Sequence, residues 1–158
     1  MRDQHWGRIV NLSSMGGRLV FPGGGIYHAT KYAVEALSDA LRFEVRGFGV
    51  EVIVVEPGLI VTNFGETASA SVQTDGPYGD FNRKVAEATE GVYRGPLKRL
   101  GGGPEAVAKT IADALQADRP KSRYPVTASA HLLINQRRLM PDRLWDLAMR
   151  TQFPTPEG

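Results

Sequence analysis

The sequence predicts an α/β fold built on a parallel sheet. Two apolar runs and the helix between them carry that prediction. Arg8-Ile-Val-Asn-Leu-Ser13 reads as a buried strand that breaks into a Ser-Ser pair and then Gly16-Gly17. Gly49-Val-Glu-Val-Ile-Val-Val55 is β-branched and nearly all apolar, the mark of a strand buried on both faces. It stops at Glu56-Pro57-Gly58. A connection of this length between two strands favours a crossover helix over a hairpin, and a right-handed one.

The elements follow in order. After the first strand, Phe21-Pro-Gly-Gly-Gly25 is loop chemistry. From Tyr27, small and apolar residues recur at three- and four-residue steps: Ala29, Tyr32, Ala33, Ala36, Leu37, Ala40 and Leu41. This predicts a helix over 27–47, with that stripe buried, Glu35, Asp39, Arg42 and Arg46 on other faces, and Gly47 and Gly49 as the stop. From Asn63 to Gly103 the periodicity weakens among many glycines, with one short helix around Asp80–Glu90. An irregular insertion of this length after a buried strand reads as a lid rather than a plain connection. Pro104 at a first helical position, with Glu105 beside it, opens a second helix whose apolar stripe is Val107, Ala108, Ile111, Ala112 and Leu115. Residues 123–127 form a short edge strand, since Pro125 excludes a central one. His131 to Arg150 makes two helices broken at Pro141, and residues 154–158 fray. No linker divides the chain, so 1–158 is one domain portion with 63–103 as its substrate-binding loop.

Composition excludes several function classes. Lys plus Arg is 19 and Asp plus Glu is 17, a net charge of +2 that is no electrostatic footprint for nucleic acid. There is no cysteine, hence no disulfide framework, cysteine zinc site or thiol catalysis. Three scattered histidines, His5, His28 and His131, argue against a histidine-only metal site. No apolar run reaches the roughly 18 residues of a membrane span, and Met1–Arg8 has no signal-peptide core, so a cytoplasmic location is expected.

Three features fall at strand ends, where open α/β sheets bind ligands: Ser13-Ser14, Tyr27-His-Ala-Thr-Lys31, and Pro57-Gly-Leu-Ile-Val-Thr62. Spacing i, i+4 puts Tyr27 and Lys31 on one helical face. A free tyrosine is a poor base at neutral pH, but a nearby ammonium favours the phenolate. A tyrosine tuned in this way can exchange a proton with an alcohol oxygen, and a Ser14 hydroxyl can hydrogen-bond the same oxygen. Five tyrosines and five lysines give about 0.16 such pairs by chance, so the pair alone is weak. Its order and placement among the other two features carry the argument.

These residues resemble the C-terminal half of the short-chain dehydrogenases/reductases, densely over 7–62 and loosely over 104–118. The resemblance implies a partial Rossmann-type, doubly wound parallel sheet: its last strands with their flanking helices, the N-terminal dinucleotide-binding half being absent. It implies an NAD(P)-dependent oxidoreductase interconverting a secondary alcohol and a ketone. Ser14, thirteen residues before Tyr27, matches the substrate-orienting serine, with Ser13 the lesser match. Tyr27 matches the acid/base, and Lys31 the lysine that lowers its pKa and holds the nicotinamide ribose. Pro57 and Gly58 match the turn beside the nicotinamide, Ile60 the backbone that meets its carboxamide, and Thr62 a residue near the cofactor phosphates. The cofactor is NAD or NADP and no metal is implied. His28 and Thr30 receive no catalytic role; His28 is expected to be packed or to neighbour the pocket.

The front departs from that pattern. The family's first strand and pyrophosphate-cradling glycine turn are missing, because Gly16-Gly17 and Gly23-Gly24-Gly25 sit in the wrong context. Asn11 lies inside the strand and is not the family's active-site asparagine. Met1-Arg2 resembles an internal stretch, so a fragment with an unpaired apolar strand edge and marginal stability is expected. Phe64, Tyr78, Phe81 and Tyr93 in the lid point to a lipophilic substrate. The alternative is a non-catalytic remnant acting as an interaction module, since helix 27–47 resembles one that builds the family's dimer interface. A full-length form would be a homo-oligomer.

Overall fold

The computed structural model describes residues 1–62, 67, 72–73 and 75–156. Three parallel strands, β1 (Gly7–Leu12), β2 (Val50–Pro57) and β3 (Arg123–Val126), lie in the order β1-β2-β3. Helix α1 (Gly25–Val45) joins β1 to β2. Between β2 and β3 come α2 (Gly79–Arg94), a 3-10 turn (Pro96–Leu100) and α3 (Pro104–Gln116). Helices α4 (Ala128–Leu139) and α5 (Asp142–Gln152) complete the chain, separated at Pro141.

The register assigns each helix to a face of the sheet. Arg8 pairs with Glu51, and Asn11 and Arg123 both pair with Val54. Side chains alternate along a strand, so Asn11, Val54, Glu56 and Arg123 share one face, and Arg8 and Val55 the other. On the first face, Asn11 Nδ2 donates to Ser38 Oγ at 2.9 Å, and Arg123 reaches Glu35 and Asp39. That face belongs to α1. On the second, the Arg8 guanidinium donates to the Leu115 and Ala117 carbonyls, capping the C-terminal end of α3. The sheet is thus covered on both sides, and Val52 to Glu56 are all buried.

β1 carries no further strand on its outer edge among the described residues. The edge strand at Arg123–Val126 and the break at Pro141 match expectation. The facing of α1 does not. Ala29, Tyr32, Ala33, Ala36, Leu37 and Ala40 are exposed, Leu37 at 69%. The helix buries His28, Glu35 and Ser38 instead. The reason is that α1 docks on the sheet through polar contacts, its Ser38, Glu35 and Asp39 to Asn11 and Arg123, and Arg42 Nε to the Val52 carbonyl at 3.1 Å. Helix α3 shows a smaller shift: Val107 and Ile111 are half-buried and Ala114 buried, while Ala108, Ala112 and Leu115 face outward.

Among the described residues, no helix is long and apolar enough to cross a membrane. Residues 63–66, 68–71 and 74 lie outside the description, and with them Phe64 and much of the expected loop; so do Glu157 and Gly158 of the expected frayed end.

Candidate active site

β1 ends at Leu12, and Ser13 N–H continues its ladder to the Val55 carbonyl at 2.8 Å. The chain then turns. Ser14 caps the 3-10 turn Met15–Gly17, its Oγ accepting from the Gly16 amide at 3.0 Å and standing 3.5 Å from the Pro57 carbonyl oxygen. Ser13 points inward and is buried. Of the pair, Ser14 is the one at the surface of the sheet's carboxyl end.

Tyr27 and Lys31 occupy the first turns of α1. Lys31 Nζ lies 5.8 Å from the centre of the Tyr27 ring. The same ammonium donates to the Leu12 carbonyl at 3.0 Å, anchoring the helix to the end of β1. A Cβ on Gly16 would fall 3.1 Å from the Tyr27 ring, so the Ser14 turn lies directly against the phenol.

The Pro57-Gly58 turn is held from beneath. Gly58 N–H donates to the Val126 carbonyl at 3.0 Å, and Leu59 N–H to Ser129 Oγ at 3.0 Å. A Cβ at Gly58 would stand 2.5 Å from both Ser129 Oγ and Thr127 Oγ1, so glycine lets the turn approach the start of α4. Thr127 itself adopts φ 83°, which positions its hydroxyl as the cap of α4. Ile60 forms a parallel bridge with Gly102: the flanking Val61 N–H and Leu59 carbonyl bond to Gly102. The amide and carbonyl of Ile60 therefore face the opposite side, available to a ligand's amide. Thr62 is exposed beyond it. Met15, Leu59 and Ala130 form the apolar floor, covered by Phe21, Val92, Tyr93 and Leu97.

Three further contributors stand here; sequence reasoning named Tyr93 in the lid and His28 as packed or beside the pocket, and missed the third. Tyr93 of α2 lies close enough to Tyr27 that burial first, and then the Tyr27 charge, raises its phenol pKa. His28 is buried with both ring nitrogens engaged, at Gly16 and Phe21. The third is an acid pair. Glu35, two helical turns past Tyr27, lies beside Glu56 at the end of β2, with Arg123 Nε 3.0 Å from Glu35 and 3.4 Å from Glu56. Arg18 is 3.9 and 4.0 Å from the two carboxylates. Burial, and then the Glu35 charge, pushes Glu56 up to about 7. Burial pulls Arg123 down, but its hydrogen bonds to Asp39 and Glu35 outweigh that and raise it. The signal was present: a charged residue in an otherwise apolar buried strand requires a partner.

Residues 1–73 match the family described as short chain dehydrogenase. Dehydrogenase/reductase SDR family member 9 of Bos taurus is 55% identical over 154 residues, covering 92% of this chain and 48% of that protein. The uncharacterized oxidoreductase YbbO of Escherichia coli is 39% identical over 140 residues, 89% of this chain and 47% of its own length. Among solved structures, a short-chain dehydrogenase from Streptomyces avermitilis superposes with a TM-score of 0.64 at 28% identity, over 96% of this chain and 54% of that one. The chain spans about half the length of the curated relatives it matches.

Proposed function

Because the chain belongs to the short-chain dehydrogenase/reductase family, we propose that it supplies the proton-transfer and nicotinamide-facing half of an NAD(P)-dependent oxidoreductase that interconverts a secondary alcohol and a ketone. The observation that supports this reading is the convergence of Ser14, Tyr27, Lys31 and the Pro57-Gly58 turn at the carboxyl ends of β1 and β2. In it, the Tyr27 hydroxyl gives its proton to the carbonyl oxygen on reduction and receives it back on oxidation. The Lys31 ammonium stabilises negative charge on the phenol oxygen as that proton leaves. The Ser14 hydroxyl donates to the same substrate oxygen and fixes its position.

The donor set fits a nicotinamide. Lys31 would hold its ribose, the outward amide and carbonyl of Ile60 its carboxamide, with Pro57 and Gly58 beside the ring and Thr62 toward the phosphates. When bound, the cofactor supplies or accepts the hydride. We assign residues 63–103 to substrate binding, with Tyr93 and Val92 of α2 giving the pocket an apolar wall suited to a lipophilic substrate. The chain alone is expected to be inactive, so Tyr27→Phe tests the reading in a full-length form: turnover of secondary alcohols or ketones falls by about 10²–10⁴-fold, the worth of a positioned acid/base. Unchanged turnover overturns it.

A second reading has its own support. The exposed stripe of α1, Tyr32, Ala36, Leu37 and Phe43 among it, suits a chain that pairs with a copy of itself or a relative without catalysing anything. In a full-length form, titration with NAD(P)H separates the two: binding that requires Lys31 favours the enzyme, and dimerisation without binding favours the module; the chain alone, without the family's pyrophosphate turn, is expected to bind NAD(P)H weakly or not at all.

A further inference from the structure

Proton transfer gives His28 no task, yet its ring is buried and both nitrogens are used. Nε2 lies 3.1 Å from the Phe21 amide nitrogen, and Nδ1 lies 2.9 Å from the Gly16 carbonyl oxygen. An amide N–H can only donate and a carbonyl can only accept. Nε2 is therefore the acceptor, Nδ1 carries the proton, and the imidazole is neutral in a single tautomer. The glycines around it are fitted to the ring. A Cβ on Gly16 would fall 2.9 Å from Nδ1, and one on Gly24 would fall 3.0 Å from Cδ2 and Nε2. Phe21 meets the imidazole edge-on at 5.9 Å and continues to Trp145 and Phe153 at 6.4 and 6.0 Å. On its other side the imidazole meets the Tyr27 ring at 5.6 Å.

We propose that His28 is a positioning residue: its neutral imidazole straps the loop between Gly16 and Phe21 to the helix beside Tyr27, and so sets where the Ser14 hydroxyl stands relative to the phenol. The strap rests on its two hydrogen bonds. Its consequence for Ser14 and Tyr27 rests on the proton-transfer reading above. The chain of contacts is short. Ser14 Oγ holds the Gly16 amide, the Gly16 carbonyl holds His28, and His28 is the next residue to Tyr27. Releasing the ring frees the loop at two points while leaving the sheet untouched.

The test begins with the imidazole nitrogen-15 spectrum of the chain. The expected result is a protonated Nδ1 and an unprotonated Nε2; an Nε2–H tautomer or a charged ring overturns the proposal. Amide exchange follows. His28→Phe keeps a ring of similar size and deletes both bonds, so the Gly16 and Phe21 amides exchange about tenfold faster while Val52–Val55 keep their protection. His28→Gln can restore one bond and returns part of the protection. Unchanged exchange at Phe21, or equal loosening of β2, overturns the strap. If the phenylalanine variant does not fold, the tautomer and the glutamine variant decide. Retained turnover in Tyr27→Phe sinks the proton-transfer reading alone, so the two failures register in different measurements.

Discussion

Glu56→Gln replaces a carboxyl that is 2% exposed and whose titration is pushed up from 4.5 to about 7, by burial first and then by the Glu35 charge. The native state therefore holds this proton more tightly than the unfolded chain does. Its contribution to stability is fully present below about pH 4.5 and is lost as pH rises through about 7. At about 1.4 kcal/mol per unit, the difference between the two limits is about 3 kcal/mol. Asp39 runs the other way: the hydrogen bond from Arg123 holds its carboxyl below the usual range, so its contribution is present above that range and lost toward strong acid. Together they place maximum stability on the acid side of neutrality. Glutamine mimics the protonated carboxyl at every pH. Urea unfolding from about pH 5 to about pH 9 should give wild-type and variant curves that nearly coincide at the acid end. They should separate above neutrality, with the variant more stable by up to about 3 kcal/mol. Curves that stay parallel across the range, or a variant less stable than wild type under alkaline conditions, refute the reasoning.

Arg123→Met leaves Glu35, Glu56 and Asp39 without their common cation, and should cost about 3 kcal/mol, more at alkaline pH; in the Glu56→Gln background the loss should shrink. Gly58→Ala pushes a methyl group to 2.7 Å from the Ala130 backbone nitrogen and should cost about 1–3 kcal/mol in urea unfolding; an unchanged midpoint would mean that α4 yields freely. Leu37→Asp should leave the urea midpoint within about 0.5 kcal/mol, since Leu37 is exposed, while abolishing any self-association seen by sedimentation velocity. A large loss of stability would instead place that stripe in a core.

Much of the architecture was legible because it is local. The apolar runs in β1 and β2, the stop at Pro57-Gly58, the Pro104 start of α3 and the Pro141 break each follow from a few adjacent residues. The Tyr27–Lys31 spacing was legible for the same reason. The facing of α1 was not. A stripe of Ala and Leu at helical spacing reads as a core face, but here the sheet meets the helix through Ser38, Glu35 and Asp39. Glu35 and Asp39 find their partner Arg123 more than 80 residues away. No local pattern announces such a pairing. The packing of His28 was expected, but its hydrogen bonds were illegible for a related reason: its partners are backbone groups, which every sequence offers equally.

Tyr27, Lys31 and Glu35 stand at successive four-residue steps on one rod. Glu35 is about 12 Å along the axis from Tyr27 and is clamped by Arg123. A rigid helix cannot roll at one end without rolling at the other. A roll of about 10° sweeps a side-chain tip about 1 Å around the axle, and an error of that size can cost a reaction about a hundredfold. The ion pair at the far edge of the sheet therefore acts as a rotational stop on the helix that carries the phenol.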